Sequence, residues 1–193
     1  MNASARILSL VLVLAFALAS PAAHAADQLK IGQGRGSIDF GIGDSRIFRT
    51  TGGFKQWRGK VNVDEADVSR SSVEVEINTG SIQMLDSQQT AMLKDSDFFD
   101  VAKFPEMTFK STKVERTGEH ALKVEGNITL RGITRPMTLD VTVSDRRPDA
   151  APGSRYARFR GFGTIKRSEF GMTKYVDMVG DTVEFSITAD AWR

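Results

Sequence analysis

Apolar and polar residues alternate regularly along several segments of this chain, among them 73–77, 122–130, 137–143 and 183–189. Successive side chains of a β-strand point to opposite faces, so each segment predicts a strand with one apolar and one polar face. Many such strands with almost no helix predict a closed or nearly closed barrel. In water the apolar faces turn inward, which creates an interior able to hold an apolar molecule.

The same pattern predicts about eight antiparallel strands and one short helical insert. The strands are expected over 29–42 (as one strand or two), 53–63, 71–78, 107–114, 120–130, 133–144, 156–166 and 182–191. Arg131-Gly132 separates two of them and predicts a tight hairpin. Asp86, with Gln89 three positions later, suits the N-cap of a helix over 90–94, and 97–100 predicts one further turn. The expected fold class is therefore all-β.

The inward strand positions and the apolar residues of the insert are the candidate lining of a channel. The predicted channel residues are Phe40, Val61, Val75, Ile77, Met92, Phe98, Phe99, Phe104, Phe109, Val124, Ile128, Leu139, Val141, Phe159, Met172 and Phe185. Barrels of eight strands are either filled by their own side chains or hold one small ligand, and the pattern leaves both open. Gly126, Gly161 and Gly163 interrupt the apolar faces, which favours a cavity because glycine removes volume.

Two charged residues near one end of a strand are candidates for a polar rim around this channel. Arg167 and Glu169 are placed to orient the head group of an amphiphile, or alternatively to pair with each other and hold a turn. Phe98, Phe99, Val101 and Phe104 form an apolar cluster outside the strands. This cluster predicts a cap on the open end of the barrel, and such a cap is also suited to gating a pocket.

The first 25 residues have the features of a cleavable secretory signal. Arg6 precedes a short apolar stretch over 7–19, and Ala23-His24-Ala25 forms a small-x-small cleavage site. The apolar stretch is short for a membrane anchor. We therefore expect one domain over 26–193, exported and, without any cysteine, stabilised by packing alone. Cleavage removes Arg6 and lowers the formal net charge from +2 to +1, which gives no basic patch for nucleic acid.

The residue types needed for common catalytic and metal sites are scarce. Beyond the leader the chain has one histidine, His120, and no cysteine, so a Ser-His or Cys-His nucleophile system and a zinc site are disfavoured. Most Asp and Glu residues fall at strand positions that point outward. This favours carboxylates that lie on the solvated surface over a pair of catalytic carboxylates for glycoside hydrolysis. The expectation is a protein that is not an enzyme and holds no metal or cofactor.

Residues 97–111 (DFFDVAKFPEMTFKS), 130–136 (LRGITRP) and 167–172 (RSEFGM) form three distinctive motifs. They resemble, in that order, the FFD-x-x-x-FP-x-x-x-F-x-S signature, the hairpin and the R-[ST]-[DE]-[FWY]-G-[ML] segment of the YceI-like polyisoprenoid-binding family. Residues 179–183 (VGDTV), followed by a final strand, also fit. The match spans nearly the whole chain after the leader, in order and at family spacing.

The resemblance implies an extended lipocalin-like β-barrel with a long isoprenoid or similar amphiphile in its apolar channel. It further implies a periplasmic, non-enzymatic role in binding or carrying that lipid, such as a polyprenyl lipid or an isoprenoid quinone. Some members are linked to stress responses or to cytochrome b561-type membrane proteins. An exposed strand edge at the barrel seam would also allow a homodimer.

Three other functions remain open at this point. A small outer-membrane barrel shares the leader, the length and the alternation, but turns its apolar face outward. Two tyrosines and two tryptophans are few for the aromatic girdles of such a barrel. A binder of fatty acids or fatty amides in a stress response presents the same apolar channel. An enzyme acting on the bound lipid is disfavoured by the missing histidine and cysteine chemistry.

Overall fold

A computed structural model describes residues 27–43 and 50–193, and antiparallel strands make up more than half of these described residues. The strands within these ranges are β1 (Asp27–Gly32), β2 (Gly36–Ile42), β3 (Thr50–Phe54), β4 (Trp57–Val63), β5 (Ser72–Asn78), β6 (Ile82–Met84), β7 (Glu106–Arg116), β8 (Ala121–Leu130), β9 (Ile133–Ser144), β10 (Arg155–Lys166) and β11 (Thr182–Trp192). The helices are α1 (Ser87–Lys94) and α2 (Val176–Val179), with 3₁₀ turns at Val68–Arg70, Thr79–Ser81 and Arg167–Phe170. The predicted leader, 1–25, lies outside the described residues.

The eleven described strands close into a barrel with eight antiparallel strand positions. Three of these positions are each formed by two consecutive strands: β1 with β2, β3 with β4, and β5 with β6. This follows from the pairings, because β1 pairs with β4 and β2 with β3, while β4 pairs with β5 and β3 with β6. Strands β7 to β11 pair in sequence order. Strand β11 then pairs with β2 and, through Trp192 opposite Lys30, with β1. The predicted all-β barrel of about eight strands is confirmed.

One predicted strand is divided in the structure, and two short elements were not predicted. The strand predicted over 53–63 is divided into β3 and β4. At this break the Gln56 backbone N–H donates to the Ser81 hydroxyl at 3.0 Å and the Gln56 carbonyl accepts from the Asn78 N–H at 3.0 Å, so the chain leaves the regular ladder. Strand β6 and helix α2 were not predicted, because three or four residues are too few to show a period.

The apolar faces of the strands point inward and the polar faces point outward. In β9, Met137 and Leu139 are buried while Thr138 is exposed. On the outer face, Glu74 accepts ion pairs from Lys60 at 2.9 Å and Lys110 at 3.1 Å. This polar exterior is the reverse of the outward apolar band of an outer-membrane barrel. Separately, none of the helices within 27–43 and 50–193 is long and apolar enough to cross a membrane.

The barrel wall opens at one end, between β6 and β7. Strand β5 pairs with β7, whereas β6 pairs only with β3 among the described strands. The segment that connects β6 to β7, residues 85–105, is the predicted insert. It contains α1, which packs against β6. It continues through turns that bury Phe98 and Phe99. The predicted cap on the open end is therefore present, and its helix begins just after Asp86.

The opposite end of the barrel is closed by aromatic side chains and ion pairs. The hydroxyl of buried Tyr156 donates to the Glu65 carboxylate, which also pairs with Arg146. The indole of Trp192 is buried beneath the guanidinium of Arg35, at 4.5 Å from the ring centroid.

The prediction that three inward glycines leave open space is wrong at two of them. A Cβ on Gly126 would lie 2.5 Å from the Phe109 ring, and one on Gly163 would lie 2.7 Å from a Leu139 methyl group. Neighbouring side chains therefore occupy the volume that these glycines vacate. At Gly161 the nearest atoms to a Cβ lie at 3.7 Å, an ordinary contact distance.

Candidate functional site

A cavity of about 180 Å³ lies at the open end of the barrel. It is lined by residues from β2, β3, β6, α1, the insert, the ends of β8 and β10, the segment 167–179 and the start of β11. These residues are Phe40, Ile42, Thr50, Met84, Gln89, Met92, Leu93, Phe98, Phe99, Leu130, Ile165, Arg167, Met172, Lys174, Tyr175, Val179, Val183 and Phe185. Most of the described lining residues are apolar, and the charged ones among them, Arg167 and Lys174, are cationic.

The aromatic wall of the cavity is built from strands and insert together. The rings of Phe40 and Phe54 lie 5.7 Å apart, and Phe54 meets Phe99 edge-on at 5.6 Å. Such tilted and edge-on arrangements are favourable for aromatic pairs. The contact from Phe54 to Phe99 thus fixes the insert against the barrel, and it places an insert ring at the cavity.

The β8–β9 hairpin holds the insert in place. Arg131 (φ 52°) and Gly132 (φ 72°) form its tip, as a two-residue turn with positive φ at both positions requires. The Arg131 guanidinium donates to the carbonyl oxygens of Ser96, at 2.7 Å, and Phe98. At the far side of the insert, the Thr79 hydroxyl donates to the Phe104 carbonyl at 2.7 Å. The motifs 97–111 and 130–136 therefore meet at the open end of the barrel, which forms the mouth of the cavity.

Arg167 organises the segment between β10 and β11. Its Nε donates to the Gly180 carbonyl at 2.9 Å, and its Nη1 donates to the carbonyls of Met172 at 3.1 Å and Lys174 at 2.7 Å. The side chain is only 5% exposed. Burial lowers the pKa of the Arg167 guanidinium, and the charge of Asp181 opposes that change. Arginine is nonetheless protonated at neutral pH, so a cation is buried in the cavity wall.

Asp181 joins the two ends of the segment between β10 and β11 through Ser168. Among the described residues it forms no ion pair with Arg167. It accepts from the Ser168 backbone N–H at 2.9 Å and from the Ser168 hydroxyl at 2.7 Å. Burial opposes ionisation of Asp181, but these two hydrogen bonds and the nearby Arg167 charge outweigh it and lower its pKa. The carboxylate is therefore ionised at neutral pH, with its oxygens directed to Ser168.

Two contacts join this segment to the insert across the mouth. The Lys174 ammonium pairs with the Asp97 carboxylate, and the rings of Phe98 and Tyr175 lie 6.4 Å apart. The Asp97 hydrogen bond raises the pKa of Lys174, which is partly exposed. The mouth is thus bordered by two segments held together by one ion pair and one ring contact.

The structure brings together seven of the predicted site residues at this cavity. They are Phe40, Met92, Phe98, Phe99, Met172, Phe185 and Arg167. The remaining apolar ones lie elsewhere in the core: Ile77, Phe109, Val124, Ile128 and Leu139 are buried, and Val61, Val75, Val141 and Phe159 are half-buried against them. That any of these residues binds a ligand remains a prediction.

Two predicted site residues have other surroundings. The Phe104 ring packs beside Gly132, outside the cavity lining. Glu169 is exposed, and among the described residues it forms no ion pair with Arg167. Arg167 does hold a turn, as the alternative expected, but it does so through backbone carbonyls rather than through Glu169.

The predicted site missed eleven of the described lining residues. Six of them are apolar positions on strands or on α1: Ile42, Met84, Leu93, Leu130, Ile165 and Val183. The other five are Thr50, Gln89, Lys174, Tyr175 and Val179. Lys174 and Tyr175 lie between the RSEFGM and VGDTV motifs, and Val179 begins the second of them, so position relative to the motifs was the available signal for these three.

This arrangement is suited to holding an apolar body beside a few hydrogen-bond donors. Within 27–43 and 50–193 no three His, Cys, Asp or Glu side chains are grouped so as to hold a metal ion. His120 lies in the exposed β7–β8 turn, away from the cavity lining. The geometry is typical of a ligand pocket, in which apolar walls bind and sparse polar groups orient.

Comparisons with known proteins agree with this architecture. The family model described as "YceI-like domain" matches residues 30–191. A UPF0312 protein of Ectopseudomonas mendocina is 32% identical over 183 residues, which cover 94% of this chain and 95% of that protein.

Two solved structures share the fold. Burkholderia cenocepacia BcnA superposes with a TM-score of 0.69 at 25% identity, covering 80% of this chain and 94% of that one. A polyisoprenoid-binding domain from Saccharophagus degradans, implicated in plant cell wall breakdown, superposes with a TM-score of 0.61 at 12% identity, covering 85% and 97% of the two chains. On the extent of the family match and the identity to its relative, this chain belongs to the YceI-like family.

Proposed function

We propose that this protein binds the tail of an isoprenoid lipid in the cavity at the open end of its barrel and carries that lipid in the periplasm. The observation that carries the proposal is the partly open, mostly apolar cavity formed where the family motifs meet. The polyisoprenoid-binding domain that shares this fold supports the choice of ligand. The polar residues at the mouth leave room for a head group while the tail is inside.

The size of the cavity determines how much of the tail enters without rearrangement. A cavity of about 180 Å³ is slightly larger than an engineered cavity of about 150 Å³ that admits benzene. A longer tail therefore requires lining side chains to move, and Met84, Met92 and Met172 are the flexible ones. Each buried methylene contributes about 0.8 kcal/mol, so one five-carbon unit contributes roughly 4 kcal/mol before the cost of ordering the tail.

Native purification followed by extraction tests the proposal directly. The chain 26–193 is purified without detergent, extracted with organic solvent and analysed by mass spectrometry. We expect an isoprenoid quinone or a prenyl phosphate at a fixed ratio to protein. Protein that carries no lipid and also fails to bind added farnesol or ubiquinone would overturn the proposal, whereas a bound fatty acid or fatty amide would redirect it to that ligand class.

A pair of variants tests whether the ligand occupies this cavity. Val179→Phe adds a ring at a half-buried lining position, while Met178→Phe adds one to the neighbouring residue, whose side chain is 82% exposed. We expect Val179→Phe to weaken farnesol binding by about tenfold, because a lost or strained methylene contact is worth about 1–3 kcal/mol, and Met178→Phe to leave it unchanged. Equal affinity of both variants would place the ligand elsewhere.

The compartment is tested by fractionation of cells that express the full chain. Export predicts recovery in the periplasmic fraction, with a new N-terminus at or near Ala26 by protein sequencing. Recovery of the uncleaved chain in the cytoplasm would contradict the periplasmic part of the proposal. Recovery in the membrane pellet would favour an anchored protein.

A further inference from the structure

The charged side chains among the described lining residues share one sign. Arg167 and Lys174 are cationic, and none of the described lining residues is an Asp or a Glu. Most of the other described lining residues are aromatic or aliphatic. The cavity therefore presents positive charge at the edge of an apolar space, and this sign bears on the head group that fits there.

Arg167 is the more unusual of the two cations, because it forms no ion pair with any of the described residues. Its three hydrogen bonds go to backbone carbonyls, which are neutral acceptors. Asp181, whose charge acts on Arg167, directs its oxygens to Ser168. Nη2 makes no hydrogen bond to any residue within 27–43 or 50–193. Buried charges in proteins are normally paired, since an unpaired one carries a large desolvation cost.

We propose that this mouth selects an amphiphile whose head group carries anionic oxygens, with the head held by Arg167 and Lys174 and the tail in the apolar cavity. This inference rests on the proposed function and adds the chemical class of the head group. A guanidinium and an ammonium donate short, charge-assisted hydrogen bonds to phosphate or carboxylate oxygens. A neutral hydroxyl or a quinone carbonyl gains much less from the same groups.

Lys174 is shared between the proposed head group and Asp97. In the structure its ammonium pairs with Asp97, at the mouth and near the ring contact of Phe98 with Tyr175. An anionic head group competes with Asp97 for this ammonium. Removal of the Asp97 charge therefore favours the anionic ligand, while removal of the Lys174 charge disfavours it. If the Lys174–Asp97 ion pair served only to hold the two segments together, both changes would affect binding in the same direction.

The first experiment compares head groups on one tail. Displacement of the neutral fluorescent probe N-phenyl-1-naphthylamine from the chain 26–193 reports the affinities of farnesyl phosphate, farnesol and farnesylamine. We expect farnesyl phosphate to bind at least about tenfold more tightly than farnesol, and farnesylamine to bind most weakly. Dodecanoate against dodecanol repeats the comparison on a fatty tail, and so distinguishes a prenyl phosphate from a fatty acid as the preferred anion.

The second experiment uses substitutions at the mouth. Lys174→Gln is expected to reduce the preference for farnesyl phosphate over farnesol several-fold, Lys174→Arg to retain it, and Asp97→Asn to increase it. Lys103→Gln is the matched control, because Lys103 stacks on Phe104 outside the cavity lining. Arg167→Gln is expected to abolish the preference, with circular dichroism to verify its fold; the four other variants carry the test without it.

The outcomes separate the two proposals. Equal affinities of wild-type protein for farnesyl phosphate and farnesol would overturn the anionic head group and leave the lipid-binding function in place. Equal losses of affinity for all ligands in Lys174→Gln and Asp97→Asn would also overturn the anionic head group. They would show that the Lys174–Asp97 ion pair has only a structural role. Failure of every tail to displace the probe would overturn both proposals.

Discussion

Two inward-facing glycines of β10 have different surroundings. A Cβ at Gly163 would approach the Thr138 carbonyl oxygen and a Leu139 methyl group, each at 2.7 Å. A Cβ at Gly161 would meet only side chains, at 3.7 Å or more. Backbone atoms of the paired strand cannot move aside without disturbing the ladder. Packing therefore requires glycine at position 163 but not at position 161.

This difference gives a matched pair of substitutions on one strand. Gly163→Ala is expected to lower the free energy of unfolding by about 1–3 kcal/mol through overpacking. Gly161→Ala is expected to leave it unchanged or to raise it by up to about 1 kcal/mol, because alanine reduces the entropy of the unfolded chain. Urea denaturation of both variants checks the prediction, and equal losses would contradict the packing account.

Glu65 is the ionised centre of the closed end of the barrel. Hydrogen bonds from Arg146 and Tyr156, together with the nearby charge of Arg193, lower its pKa against the opposing effect of burial. A carboxylate with a depressed pKa contributes stability above its unfolded pKa, and this contribution is lost as the pH falls through the folded value. Acidification therefore weakens the closed end.

The corresponding prediction concerns the pH dependence of unfolding. Between neutral pH and about pH 3 the urea midpoint of the wild-type protein is expected to fall as Glu65 becomes protonated. Glu65→Gln is expected to be less stable at neutral pH and to show a shallower fall, since that carboxylate no longer titrates. Asp190, whose pKa is lowered chiefly by its hydrogen bond from Arg158, accounts for part of the slope that remains. An unchanged slope in the variant would exclude Glu65 as a contributor.

At the level of elements, the mouth depends on short segments that carry few contacts of their own. Helix α1 has no fully buried residue, yet it supplies Met92 and Leu93 to the cavity wall. Its start is fixed by Asp86, whose carboxylate accepts from the Gln89 N–H at 2.7 Å. An isolated helix of eight residues is marginal in water, so capping and docking on β6 decide whether it forms.

Removal of this cap tests the element directly. Asp86→Ala is expected to destabilise the protein by about 1 kcal/mol and to increase hydrogen exchange across α1 more than in the strands. Gln88→Ala, an exposed position in the same first turn, is the control and is expected to change little. Uniform exchange changes over the whole barrel would argue against a local role for the cap.

For the whole molecule, closure of the barrel depends on the last strand. Strand β11 pairs with β10 along its length, with β2 over 183–189 and with β1 at Trp192. The Trp192 ring is buried under Arg35 at this seam. The C-terminal residues therefore join the two ends of the sheet, and closure waits until nearly the whole chain is available.

Truncation of this aromatic residue is expected to be costly. Trp192→Ala should lower the free energy of unfolding by about 3–5 kcal/mol, because it removes a large buried ring at the seam. Trp192→Phe retains an aromatic surface and should cost less. Chemical denaturation of the two variants measures the difference, and a loss below 1 kcal/mol in Trp192→Ala would show that the seam closes without it.

Most of the strands and helix α1 were predictable because their signals are local. Alternation located the β8 and β9 strands, and the Arg131-Gly132 turn between them, while Asp86 marked the helix start. The candidate site was predictable only in part. Phe40 and Phe185 were predicted as lining residues from strand phase and Phe98 from the apolar cluster of the insert, whereas Lys174 was missed because its segment has no period.

The sequence by itself determined which side of each strand is apolar and where the chain turns, because side-chain direction along a strand depends only on neighbouring residues. Only the tertiary structure decided where a cavity remains and what surrounds Arg167. Those properties depend on side chains brought together from distant strands and from the insert. Gly126 illustrates the difference, since its absent side chain is visible in the sequence, while the Phe109 ring that fills the space is visible only in the fold.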